Sequence, residues 1–132
     1  NNVIISHGSG IGGHVTIEDR VVIGGLVGVH QFTKIGRMAM VGAHTMVTKD
    51  VPPYIIVDGN PAKPYGIKIV GLRRNGLSPE LRMEIKRAYK ILYRSNLNIT
   101  QAIEQMEQEL AGYEEIDHLL RFLRSADRGI CR

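Results

Sequence analysis

The sequence predicts a mainly β protein, a parallel β-helix of hexapeptide repeats followed by a small α-helical C-terminal region. Three observations carry that prediction. Aliphatic residues recur at a strict six-residue spacing through the first 47 positions, a proline pair closes the pattern, and from residue 78 the apolar spacing becomes helical.

Stepping by six from Ile5 meets Ile11, Ile17, Ile23, Val29, Ile35, Val41 and Val47, all β-branched. A period of six is not a multiple of 3.6 residues, so on an α-helix this set would smear around the axis, and an ordinary strand has no reason to single out each sixth position. A coil of three six-residue faces accounts for it: residues eighteen apart stack about 4.8 Å above one another, the usual strand spacing. The aliphatic ladder then fills the interior. The residue after each ladder position is commonly small (Ser6, Gly12, Gly24, Gly36, Gly42) and is expected to let the chain turn corners. A second compact set, Ser9, Val15, Val21, Val27, Thr33, Ala39, Thr45 and Val51, follows four positions after the first.

The pattern ends at Asp50-Val-Pro-Pro-Tyr, where two prolines cannot both donate to a ladder. A loop-like segment with the turn signal Asp58-Gly59-Asn60-Pro61 is expected next. Ser78 then reads as a helix N-cap with Pro79 at the first helical position, and Leu81, Ile85, Ala88 and Leu92 mark one helical face. A second helix is expected from after Thr100 to near Gly112, and a third carries Ile116, Leu119, Leu120 and Leu123 and stops before Gly129. Residues 1–76 are thus expected to form the coils and exit loop, and 77–132 the helical region.

The chain has 132 residues and a net charge of +4, a mild excess that favours acidic partners without indicating nucleic acid. It opens on Asn1, as expected of a processed or truncated chain. One cysteine, Cys131, excludes an internal disulfide framework, fits a reducing compartment and reads as incidental to chemistry. The uncharged stretch Val21 to Thr33 is broken by glycines and too short to span a bilayer, and no signal-peptide pattern opens the chain, so a cytoplasmic protein without a transmembrane segment is expected.

The phase of the repeat places His14 and His30 outside the aliphatic ladder on neighbouring coils of one face. Solvated surface histidines are one reading. The other is a surface that a ligand or second chain approaches, for which Gly12, Gly13, Gly24 and Gly25 leave room. Basic residues gather between Lys63 and Arg94, and helical spacing aligns Arg82, Lys86 and Lys90 as a stripe. That stripe is either a solvated helix face or a dock for an acidic partner.

The series GGHVTIEDRVVIGGLVGVHQF, DVPPY, GNPAKPYG, GLRRNG, RAYKILYRS and RGICR resembles the C-terminal half of the acyl-(acyl-carrier-protein)–UDP-N-acetylglucosamine O-acyltransferases, which catalyse the first step of lipid A biosynthesis. The resemblance runs from Asn1 to Arg132. It implies left-handed coiling, a homotrimer with clefts between subunits, and transfer of a 3-hydroxyacyl chain from acyl carrier protein to the 3-hydroxyl of UDP-N-acetylglucosamine. Neither metal nor another cofactor is implied.

Residue by residue, the resemblance makes Gly13 the backbone donor to the oxyanion and His14 a catalytic, substrate-lining histidine. It makes His30 and Gln31 the pair that contacts the nucleotide sugar, and Arg74 a diphosphate ligand. The basic stripe Arg82, Lys86 and Lys90 becomes the carrier-protein dock. The general-base histidine is expected just upstream of Asn1; His7 is not its match. Lys68, near the acceptor, departs from the family's usual Asn, Asn75 stands where a second arginine is common, and Ala43 falls where bulk sets acyl-chain length.

Three other readings stay open. The N-acyltransferase of the same pathway and the acetyl-CoA-dependent acetyltransferases share the scaffold, though neither explains HQF, and a non-catalytic β-helix fragment is the third. A metal enzyme of the γ-carbonic anhydrase type would need three converging histidines, which the spacings of His7, His14, His30 and His44 do not suggest.

Overall fold

A computed structural model describes residues 2–67, 69–110, 112–126 and 129–132. Its first part is a stack of two-residue strands: β1 (Ile4–Ile5), β2 (Gly10–Ile11), β3 (Thr16–Ile17), β4 (Val22–Ile23), β5 (Gly28–Val29), β6 (Lys34–Ile35), β7 (Met40–Val41) and β8 (Met46–Val47). The ladder residue is the second member of each strand. Strands eighteen residues apart pair in parallel, so Ile5 meets Ile23, Ile11 meets Val29, Ile17 meets Ile35, Ile23 meets Val41 and Val29 meets Val47. Three sheets result, one per face. From the second coil onward the ladder is buried, with Ile23, Ile35, Val41 and Val47 at 0% exposure, and the second compact set lines the same interior through Val21, Val27, Thr33, Ala39, Thr45 and Val51. Full burial of each Val or Ile contributes about 1.5–3 kcal/mol, so a six-residue clock is strongly selected energetically.

The corners differ from the sequence-based expectation. The small residue after each ladder position does not make the turn. The left-handed conformation falls two residues later and recurs every six: His14, Arg20, Leu26, Phe32, Met38 and His44 have φ between 56° and 64°. Each non-glycine residue there costs about 1–2 kcal/mol. Offsetting that cost, Leu26, Phe32, Met38 and His44 each donate their backbone N–H to a corner carbonyl of the coil below, at 2.9–3.3 Å. The glycines answer a packing requirement instead. A Cβ on Gly12 would lie 2.6 Å from the Gln31 nitrogen, on Gly24 2.7 Å from the Ala43 nitrogen, and on Gly36 2.4 Å from the Pro53 nitrogen. The next coil's backbone crosses directly over these positions.

After Asp50 the coil shortens rather than ends. Ile35 bridges Val51 and Val41 pairs with Val57, steps of sixteen instead of eighteen. The expected loop is a β-hairpin: β9 (Ile55–Asp58) joins the β7 edge in parallel and pairs antiparallel with β10 (Lys63–Ile67) across the predicted turn. Sequence periodicity misses both strands because the shortened coil has left the six-residue frame.

Two compact units divide the chain, Asn1–Lys68 with Ala126–Arg132, and Ile69–Ser125. Ile69 thus opens the helical unit, and residues 129–132 group with the coils. The helical unit contains α1 (Ile69–Arg74), which the sequence reading treated as loop, then α2 (Pro79–Arg94), α3 (Ile99–Glu109) and α4 (Glu114–Arg124). Ser78 caps α2 by accepting the Leu81 N–H at 3.2 Å, as its position predicts. The second helix starts earlier than expected because Asn98, not Thr100, caps it, in a reciprocal capping box with Gln101. Leu81, Ile85, Ala88 and Leu92 are buried, as are Ile116, Leu119, Leu120 and Leu123.

The terminal segment returns to the coils as a strand-like bridge between Ile130 and Asp50. Asp50 N–H donates to Gly129 O at 3.2 Å, Cys131 N–H to Asp50 O at 2.9 Å, and the Cys131 thiol to Lys49 O at 3.3 Å. Cys131, 3% exposed, is thus structural. Burial pushes its thiol up to about 11. The unfolded thiol ionises near pH 8.5, so above that value the unfolded chain has released a proton that the folded chain keeps. Stability is expected to fall as pH rises from about 8.5 to about 11. Urea-unfolding midpoints of wild type and Cys131→Ala across that range should converge as pH rises; a constant difference would contradict the assignment.

Candidate active-site corner

One corner of the β-helix collects four residues singled out from the sequence. Gly12, Gly13 and His14 turn the chain from β2 into β3, and eighteen residues later His30, Gln31 and Phe32 turn it from β5 into β6. Thr48, Lys49 and Asp50 occupy the same places on the third coil. Backbone bonds fix the spacing: Gly12 N–H donates to Val29 O at 2.9 Å, His30 N–H to Val47 O at 2.8 Å, and Phe32 N–H to Gly13 O at 3.0 Å. The buried Thr33 hydroxyl donates to the His30 carbonyl, tying the upper corner to itself.

His14, His30 and Gln31 are all exposed. Their shared outer position is the geometry the repeat phase predicted. The imidazole of His14 stacks on the ring of Phe32, centroids 5.0 Å apart and planes 2° from parallel. Such a pair contributes about 0.5–1.5 kcal/mol and confines the imidazole to one plane. The HQF motif draws attention to His30 and Gln31, but the distance of eighteen between His14 and Phe32 is the signal that identifies this stacking partner.

Gly13 is unlike Gly12. A Cβ there would meet nothing within 4 Å, and its φ is not positive. Among the described residues its N–H has no hydrogen-bond partner. Neither backbone strain nor packing demands glycine, and what glycine leaves is an accessible N–H with unobstructed space beside it.

The remaining predicted residues lie elsewhere. Ala43 is exposed on a different corner, where its backbone crosses over Gly24, and His7 and His44 share that corner. Lys68 lies outside the described residues. Arg74 is exposed in the last turn of α1, within the helical unit, and Asn75 caps that helix by donating its side-chain amide to Gly71 O at 2.9 Å. Along α2, Lys86 and Lys90 are exposed, but Arg82 is half-buried and donates to Leu77 O at 3.0 Å. Arg82 therefore also helps hold the start of α2. A separate depression of about 440 Å³ in the helical unit is lined by Glu107, Asp117, Arg121 and Arg124. Its arginines are already paired, Arg124 with Glu107 at 2.8 Å and Arg121 with Glu114 at 3.6 Å. Among the described residues, no group of three or more His, Cys, Asp and Glu side chains could hold a metal ion.

A three-faced parallel coil of hexads with an open glycine–histidine corner defines a hexapeptide-repeat acyltransferase scaffold. A family model described as UDP N-acetylglucosamine O-acyltransferase, domain 2, matches residues 50–131, and the chain belongs to that family. It is 46% identical over all its residues to the acyl-(acyl-carrier-protein)–UDP-N-acetylglucosamine O-acyltransferase of Anaeromyxobacter sp. strain K, covering 51% of that protein. Among solved structures it is similar to LpxA from Acinetobacter baumannii, with a TM-score of 0.96 at 40% identity, covering 100% of this chain and 52% of that one. It also resembles the UDP-N-acetylglucosamine O-acyltransferase (LpxA) of Moraxella catarrhalis, with a TM-score of 0.94 at 33% identity, covering 99% and 51%. The chain spans about half the length of the curated relatives it matches. Its coils are those of a left-handed parallel β-helix.

The two adjacent glycines give a direct test of the corner. In the complete protein, Gly12→Ala is expected to lower stability by about 1–3 kcal/mol through the clash with Gln31, and Gly13→Ala to change it by less than about 0.5 kcal/mol. Thermal denaturation of both variants checks this; equal losses would contradict the distinction.

Proposed function

We propose that the complete protein transfers a 3-hydroxyacyl chain from acyl carrier protein to the 3-hydroxyl of UDP-N-acetylglucosamine, the first step of lipid A biosynthesis. In this reading the sugar oxygen attacks the thioester carbonyl while a histidine upstream of Asn1 takes its proton. The Gly13 N–H stabilises the oxyanion; collapse then breaks the C–S bond and the carrier thiol leaves with the proton. His14 lines the reacting groups, and His30 and Gln31 hold the nucleotide sugar. The resemblance assigns Lys68 and Arg74 to recognition of the acceptor and its diphosphate, and Arg82, Lys86 and Lys90 to attraction of the acidic carrier protein.

The observation that carries the reading is Gly13. It is a glycine the fold does not require, with an N–H that has no partner among the described residues, next to an imidazole held in plane by Phe32. A thioester carbonyl needs such a donor with no side chain in its path. A homotrimer belongs to this proposal, because Ala43 acts as an acyl-length limit only if a neighbouring subunit brings its corner to the groove. So does a cytoplasmic location; no described helix is long and apolar enough to cross a membrane.

The test is acyl transfer by the full-length enzyme from 3-hydroxyacyl carrier protein, offered UDP-N-acetylglucosamine or its 3-amino analogue. Wild type is expected to prefer the hydroxyl acceptor, and His14→Ala to lose about 10²-fold or more in kcat/KM with its oligomeric state intact. Unchanged transfer by that variant would remove His14 from the site, and preference for the amine would reassign the acceptor.

A further inference from the structure

The register break after β8 leaves a backbone donor stranded, and one side chain takes it up. In the regular coils the first N–H of a strand donates to the carbonyl seventeen residues on: Gly10 to Val27, Thr16 to Thr33, Val22 to Ala39, Gly28 to Thr45. By that rule Lys34 N–H should reach Val51 O. The shortened coil hands Val51 O to Gly36 N–H instead, at 2.8 Å. Asp50 supplies the missing acceptor, its Oδ1 lying 2.9 Å from the Lys34 nitrogen while Oδ2 stands 4.0 Å from Lys34 Nζ. Asp50 is 3% exposed. Its own backbone is held on both sides by the terminal strand, through Gly129 O and Cys131 N–H.

We propose that Asp50 is a positioning residue for the His30–Gln31 corner, with its carboxylate standing in for the ladder carbonyl lost where the coil shortens. The inference rests on the acyltransferase reading for its kinetic consequence. Asp50 occupies the place eighteen residues after Phe32, and Lys34 is where the chain leaves the corner to enter β6. The Gln31 side chain has no hydrogen-bond partner among the described residues, so the direction in which it projects is inherited from the backbone that carries it. Freeing Lys34 N–H would loosen that backbone at its exit, while the bond from Gly12 N–H to Val29 O still ties the glycine pair of the coil below to the ladder. The effect should therefore fall on capture of the nucleotide sugar rather than on the chemical step.

In the complete enzyme, Asp50→Ala is expected to raise KM for UDP-N-acetylglucosamine about tenfold with kcat changed less than about threefold, and to speed amide exchange at Lys34 about tenfold. Asp50→Asn keeps an oxygen acceptor in the same place and is expected to restore KM to within about twofold of wild type. Should the alanine variant fail to fold, Asp50→Glu, which keeps the charge but displaces the acceptor by one methylene, takes its place in the comparison. An unchanged KM, or an asparagine variant as impaired as the alanine one, would overturn the proposal. If wild type transfers no acyl chain, the acyltransferase reading fails, and amide exchange at Lys34 in the same variants still decides whether Asp50 holds the corner.

Discussion

Everything on the β-helix follows from the vertical distance between successive coils. Successive backbones cross so closely that at three of the positions after a ladder residue, Gly12, Gly24 and Gly36, there is no room for a Cβ where the next corner passes overhead. A methyl group on Gly12, Gly24 or Gly36 would sit 2.4–2.7 Å from a backbone nitrogen. This constraint fixes where those three glycines stand, while the left-handed backbone two positions later recurs at every corner from His14 to His44. Because the side chains are aligned by the stack, chemistry can be assembled in vertical columns: His14 under Phe32, Gly13 under Gln31. Neighbours in space at this corner are eighteen residues apart in the chain.

The ladder was legible in the sequence because the interior admits only β-branched aliphatics at one phase of six, and the outer placement of His14, His30 and Gln31 came with it. The left-handed corners were not legible. Leu26, Phe32 and Met38 are poor choices for positive φ by local preference, and only the hydrogen bond to the coil below makes that backbone favourable. The hairpin β9–β10 escaped because a two-residue shortening destroys the period that revealed everything before it. The return of Ile130 and Cys131 to Asp50 and Lys49 leaves no periodic trace at all, being a single pairing between distant segments.

Arg82 and Asn75 illustrate a different limit. Arg82 belongs to the basic stripe and Asn75 stands where the family commonly has arginine, and both are engaged with carbonyls of their own unit, Leu77 and Gly71. Charge and spacing identify which side chains lie along a face, but not which of them are already occupied by helix ends. Conversely, Gly13 gains interest from what it lacks. Its neighbour Gly12 is explained by packing, whereas no contact or dihedral accounts for Gly13.

The pairing of Asp50 with Ile130 has a consequence for how the chain folds. Contacts along the β-helix close loops of eighteen residues, each coil templating the next, whereas this one joins positions eighty apart. The extra loop entropy is about 1.3 kcal/mol if the intervening chain is loose. That closure must be offset by the contacts that Ile130 and Cys131 make with Asp50 and Lys49. The coils can nucleate wherever neighbours meet, whereas the terminal strand, closing the longest loop, is expected to pair with Lys49 and Asp50 late.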